Sequence, residues 1–134
     1  MRLAATALAA ALVAFAAVPA AARACGEAAT QREAAACEQE RLVTAQAQMA
    51  DRYRALSAAL APGPRDALRR AQRAWLAWRA AACDFEASGV AGGSVAPMVR
   101  TRCATRLTEE RTVELRRLLE DCPEGDLACP ARPR

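Results

Sequence analysis

The sequence predicts an all-α fold: a small antiparallel three-helix bundle, or helical hairpin with a third helix, stapled by disulfides and followed by an irregular C-terminal tail. Three observations carry this expectation. Apolar residues recur every three or four positions in three separate stretches and nowhere alternate with the period of two that marks a strand. Clusters of Pro and Gly punctuate those stretches. Six Cys in 134 residues suit a framework of covalent cross-links.

The first 24 residues read as an address, not as part of the fold. Met1-Arg2 is followed by an uncharged run from Leu3 to Ala22, with Pro19 and then Ala22-Arg23-Ala24. This is the layout of a secretory signal peptide ending in a small-x-small cleavage site, which would leave Cys25 as the first mature residue. A membrane anchor needs about 20 strongly apolar residues, and this run is mostly Ala and contains Pro19. Lipidation of Cys25 fits less well, because Arg23 stands where lipoprotein signals carry small uncharged residues. An acylated Cys25 would also leave an odd thiol in an oxidising compartment. The reading is therefore a periplasmic or secreted protein, with residues 25–121 as the domain and 122–134 as a Cys- and Pro-containing tail, and with no membrane span once the leader is gone.

Removal of the leader leaves 17 Arg against 15 acidic residues, a net charge of +2. That mild surplus lacks the concentrated basic stripe of a nucleic-acid binder. Of the 134 residues, 38 are Ala, and after residue 24 only 21 are Leu, Val, Met, Phe, Trp or Tyr. A core this thin needs a supplement. Disulfides, at about 2–4 kcal/mol each, supply one.

The first helix opens at Thr30-Gln31-Arg32-Glu33, a capping box in which hydroxyl and carboxylate satisfy exposed backbone donors. Leu42, Ala45, Met49, Tyr53, Leu56 and Leu60 form its stripe, and Pro62-Gly63-Pro64 is expected to end it in a tight connection. The second helix carries Leu68, Ala71, Trp75, Trp78, Ala82 and Phe85 and closes at Ser88-Gly89. Gly89 to Ser94 is a Gly-rich loop, and Ser94 is expected to cap a third helix with Pro97 in its first turn. Val99, Cys103, Leu107, Leu115 and Leu118 carry that helix to about Asp121.

Short connections make successive helices antiparallel, and this sorts the cysteines. Cys25, Cys37, Cys83 and Cys103 gather at one end of the bundle, while Cys122 and Cys129 fall at the other. Six thiols can pair in fifteen ways; the layout selects Cys25–Cys37, Cys83–Cys103 and Cys122–Cys129.

Little in the chain suits catalysis. There is no His, hence no imidazole base or ligand. Asp84 and Glu86 are two apart on a helix and cannot converge on one bond. The Cys spacing lacks the paired C-x-x-C or His ligands of a zinc site. No cofactor motif is present, and the expectation is a binding protein with no cofactor, no metal and no enzymatic activity. Arg73, Trp75, Trp78 and Arg79 could form a stacking site for a sugar or a partner, with Trp75, Arg79 and Cys83 on one face of the helix. The competing reading makes both Trp residues core, with Arg79 paired to a carboxylate on a neighbouring helix. The mixed charges of the third helix, including Arg106–Glu110 and Arg116–Glu120, read as a solvated face. The loop is open to two readings: a connector needing positive φ, or an exposed backbone that approaches another surface closely. Gly92, Gly93 and Ser94, with Arg100 and Arg102 just beyond, are the candidate partner-binding residues.

Together these residues resemble a known family. Leu68-x-x-Ala71-Gln72-x-x-Trp75-x-x-x-Arg79-x-x-x-Cys83, then Gly92-Gly93-Ser94, Cys103, Leu107-Thr108, Arg111 and Leu115, with the opening Cys25, Thr30-Gln31 and Cys37, are similar to the LprI-like lysozyme-inhibitor domain. The resemblance covers about residues 25 to 119. It implies an exported bacterial helical domain whose namesake binds and inhibits lysozyme, and it carries no catalytic residues. The positions that recur in it, here Trp75, Arg79, Cys83, Cys103 and Arg111, are those already assigned to core and cross-links. Lysozyme is the partner the resemblance implies; an envelope structural or interaction module with another partner is the alternative.

Overall fold

The computed structural model describes residues 25–121 together with 126, 129 and 130. The leader expected over 1–24 lies outside the described residues, as do Cys122 and most of the tail. Among the described residues there are three long helices and no strand: α1 is Gln31–Ala59, α2 Pro62–Glu86 and α3 Ala96–Glu120. Short 3-10 turns, Cys25–Glu27 and Ala87–Val90, precede α1 and follow α2. The all-α expectation holds.

The start of α1 is built as its sequence dictates. Thr30 Oγ1 accepts from the Glu33 amide at 3.2 Å, and Glu33 Oε2 accepts from the Thr30 amide at 3.2 Å. The end differs from expectation. Pro62-Gly63-Pro64 does not form the connection; it is the first turn of α2. Proline is tolerated there because the missing N–H has no intrahelical partner in any first turn. Ala61, which precedes a proline, is extended at φ −63°, ψ 162°. Leu60 and Ala61 alone make the corner between the two helices. Arg65 spans it, donating Nε to the Ser57 carbonyl at 2.9 Å and Nη2 to the Leu60 carbonyl at 2.7 Å. A cation thus meets the negative end of α1.

α2 runs antiparallel to α1 and α3, and α1 and α3 run parallel. Cross-links at each level show this: Gln31 with Ser94, Glu38 with Arg102, and Arg52 with Glu120 all pair early with early and late with late. Cys83 of α2 meets Cys103 of α3, and Gln72, earlier on α2, meets Arg111, later on α3. α1 and α3 share the most extensive interface, whereas α2 touches α1 only sparingly.

The core is small and lies in two patches. Met49, Leu56, Leu60, Leu68 and Leu115 form one, with Tyr53, Leu118 and Leu119 against it. Cys83, Cys103 and Leu107 form the other, with Ala82 and Ala104. Trp75 packs against both and joins them. Fully buried leucines such as Leu56 and Leu115 contribute about 1.5–3 kcal/mol each by leaving water. Ala45, Thr105 and Thr108 are small enough to let α1 and α3 approach closely.

Both disulfides expected at the loop end are formed. Cys25 bonds Cys37 with Cα atoms 5.6 Å apart, and Cys83 bonds Cys103 at 5.5 Å. Cys129 is also disulfide-bonded, but the expected pairing with Cys122 lies outside the described residues.

The stripe expected on α2 needs correction. Its inward row is Leu68, Gln72, Trp75, Arg79 and Cys83, so Ala71, Trp78 and Phe85 face outward. Trp78 is 53% exposed and Phe85 82%, so only one of the two tryptophans is core. Hydrophobicity alone favoured the row with more large apolar residues. The disulfide fixes Cys83 inward, and Gln72 and Arg79 can follow it because each finds a polar partner there.

Candidate functional site

At the centre of the bundle Gln72, Trp75 and Arg79 of α2 meet Thr108 and Arg111 of α3. Arg79 Nη1 donates to Thr108 Oγ1 at 2.7 Å, and Thr108 Oγ1 in turn donates to the Ala104 carbonyl at 2.6 Å. The expected carboxylate partner for Arg79 is therefore replaced by a hydroxyl. Arg111 is buried; it donates Nε to Gln72 Oε1 at 3.1 Å and Nη1 to Glu114 Oε2 at 2.7 Å. Gln72 Nε2 reaches Met49 Sδ at 3.4 Å. The guanidinium carbons of Arg79 and Arg111 lie 5.2 and 5.8 Å from the Trp75 ring centre, within cation–π range. Burial lowers the Arg79 pKa, yet an arginine so shifted keeps its proton at working pH. Every buried side-chain polar atom among the described residues is hydrogen-bonded. This group organises the fold: its polar atoms are spent on one another.

The loop end is the other candidate. Gly92 adopts φ +79°, a left-handed conformation that disfavours a side chain. At Gly93 a Cβ would sit 3.2 Å from the Val90 carbonyl oxygen, and the Gly93 amide donates to that same oxygen at 3.0 Å. Both glycines thus answer to the turn itself. Ser94 does not cap α3; the N-cap is Val95, without a side-chain bond. Ser94 Oγ instead accepts from Gln31 Nε2 at 3.3 Å, tying the loop to the start of α1.

The two arginines beyond the loop are already engaged. Arg100 Nε donates to Asp84 Oδ1 at 2.6 Å, and Arg102 Nε lies 3.5 Å from Glu38 Oε1. Glu38 is buried and also meets Arg41 at 3.5 Å. Arg106 bridges Glu86 at 2.9 Å and Glu110 at 3.3 Å. The expected Arg116–Glu120 pair gives way to Arg52–Glu120 at 2.8 Å across the α1–α3 seam. Between these pairs runs an open groove of about 520 Å³ lined by Glu38, Arg41, Glu86, Arg102, Arg106 and Glu109 among others, with charges of both signs. The exposed pairs of Arg100 and Arg106 are each worth little in water, whereas Glu38, held by Arg41 and Arg102, is buried.

Sequence reasoning brought Gly92, Gly93, Ser94, Arg100 and Arg102 to one end of the molecule, where they lie. It missed the partners Asp84 and Glu38, which hold the arginines. It also missed the outward face of α2, although the seven-residue spacing of Trp78 and Phe85 was there to read. Among the described residues no group of three or more His, Cys, Asp or Glu gathers as a metal site, and no helix is long and apolar enough to cross a membrane.

Comparison with known proteins places this geometry. The model of a family described as lysozyme inhibitor LprI matches residues 21–115. A curated relative, an uncharacterized protein of Rhizobium meliloti, is 39% identical over 80 residues, which are 60% of this chain and 58% of that protein. The chain thus aligns with little more than half of that relative's length. No solved structure matches.

Proposed function

The chain belongs to the lysozyme inhibitor LprI family, and from that premise we propose that it is an exported binding protein that inhibits lysozyme by stoichiometric association. The observation that carries the reading is the extent of the family match: residues 21–115 take in both described disulfides, the loop end and the Trp75 centre. An inhibitor family and a disulfide framework both suit an oxidising, extracytoplasmic compartment. The Cys25 sulfur is joined to Cys37, and a thiol so bonded has no valence left for an acyl anchor. The reading accordingly takes residues 1–24 as a removed leader, 25–121 as the working domain and 122–134 as its tail.

Binding in place of catalysis is the role the site suits. A helical scaffold held at one end by two disulfides loses little freedom on association. A lysozyme cleft offers a pair of carboxyl groups flanking the scissile bond, to which guanidinium groups can bond in charge-assisted fashion. Arg100 and Arg102, paired with Asp84 and Glu38, and Gly92, Gly93 and Ser94, presenting the backbone, form the end of the molecule proposed to border the contact with the enzyme. The second reading, an envelope interaction module with another partner, draws on the net charge of +2 left on residues 25–134. That charge gives no long-range steering toward a basic enzyme.

The two readings part in one assay. Purified residues 25–134 are expected to slow the clearing of a cell-wall suspension by a basic animal lysozyme at near-equimolar concentration. Clearing at the uninhibited rate over a large molar excess would leave only the second reading.

A further inference from the structure

Resting on that reading, we propose that the outward face of α2, with Trp78 and Phe85 as its anchors, is the surface that docks into the enzyme's cleft. Ala71, Ala74, Trp78, Ala81 and Phe85 recur at intervals of three and four. All five are exposed, with Trp78 and Phe85 among the most exposed large apolar residues of the protein. At about 100° per residue, Trp78 and Phe85 lie within about 20° of one another and two turns apart. This is the anchor spacing by which an amphipathic helix lies in an apolar groove of a partner. The alanines between the rings keep the helix backbone low, so both rings stand proud of the surface. No member of this row belongs to either core cluster among the described residues.

Charge selects the occupant. Arg70 stands about 60–80° round the helix from the two rings and Arg73 farther round; both are exposed and belong to none of the ion pairs among the described residues. At the other end the acidic groups flanking Phe85 are already neutralised, Asp84 by Arg100 at 2.6 Å and Glu86 by Arg106 at 2.9 Å. The face therefore presents aromatic rings, a paired polar rim around Phe85, and surplus positive charge. A second copy would bring the same surplus against it. A lysozyme cleft brings the complement: a carboxyl group set in a hydrophobic pocket beside a second, ionised carboxylate. Exposed aromatics ringed by polar groups are also the anatomy of an interface centre. The weak net charge of the molecule ceases to be an obstacle, because apolar burial and the local guanidinium of Arg70 supply the affinity.

The test measures binding of the mature protein to a basic animal lysozyme by calorimetry, alongside inhibition of wall clearing. Trp78→Ser with Phe85→Ser is expected to weaken binding roughly 30-fold or more, while Val43→Ser with Val113→Ser, a loss of exposed apolar groups from α1 and α3, costs no more than about 2-fold. Ala74→Glu, a helix-compatible change that sets a negative charge into the row, is expected to weaken binding at least 10-fold. Circular dichroism and the thermal midpoint report that each variant is folded. Wild-type inhibition that survives both the double Ser variant and Ala74→Glu would overturn this inference and leave the function standing. Absence of wild-type inhibition and binding would remove the function and the inference with it. Two further results also overturn the inference: a Trp78- and Phe85-dependent dimer in solution that has no affinity for the enzyme, or Trp78- and Phe85-dependent binding to enzyme-free cell wall in place of the enzyme.

Discussion

Trp75 shows how one residue can answer to two packing patches and two cations. Its ring joins the leucine cluster to the disulfide cluster, and Arg79 and Arg111 approach it at 5.2 and 5.8 Å. Removing Arg111 also strands a buried polar atom, whereas Thr108 keeps its bond to the Ala104 carbonyl when Arg79 is removed. Arg111→Ala leaves Gln72 Oε1 without its donor and is expected to cost about 2–3 kcal/mol. Urea unfolding followed by Trp75 fluorescence, in a Trp78→Phe background, measures this. Leu115→Ala opens a cavity at a fully buried position and is expected to cost about 2–5 kcal/mol by the same measurement. Arg79 introduces no pH dependence in the working range. Its lowered pKa means that burial disfavours the charged form; that cost is present at every pH below the folded pKa and is relieved only as pH rises through it, in strong alkali.

At the scale of elements, the loop end is the better-secured half of the bundle. The Cys83–Cys103 bridge closes a loop of 20 residues across the α2–α3 turn and Cys25–Cys37 one of 12 before and into α1. Chain entropy assigns about 3 kcal/mol to each. Cys83→Ala with Cys103→Ala is expected to lower stability by about that amount in thermal unfolding, and to loosen Gly92 and Gly93 in amide exchange. Thr30→Ala should cost only about 0.5–1 kcal/mol, because the Cys25–Cys37 bridge still holds the first turns of α1. The opposite corner has no described disulfide and depends on Arg65 reaching back to the Ser57 and Leu60 carbonyls.

Over the whole molecule, weak net charge and a local apolar row make one joint prediction. Affinity for lysozyme should change only a few-fold between low and high salt, since screening acts on long-range steering and leaves apolar burial intact. A steep loss with salt would return the weight to Arg100 and Arg102. The chemistry of the thiols is checked separately. Alkylation without reductant, followed by intact mass, is expected to leave all six Cys unmodified and residue 25 free of lipid.

Much of the molecule was legible in advance because its signals are local. The capping box at Thr30, the breaks at Pro62 and Gly89–Gly93, and the helical period each act within a few residues. The disulfides at the loop end followed from alternating helix direction alone. The face of α2 was not legible. Leu68 and Trp75 lie on both the expected row and the true one, and hydropathy prefers the row ending in Phe85. What turns the helix is a bond between residues 20 apart and hydrogen bonds to Thr108 and Arg111, none of which has a local signature. The ion-pair partners of Arg100 and Arg102 were hidden for the same reason, since they sit on other helices. The sequence by itself thus determined the elements, their order and the family, because caps, breakers, periodicity and motif spacing are short-range. Only the tertiary structure decided which side of α2 faces out and which charges remain unpaired, because those depend on groups that meet only when the three helices pack.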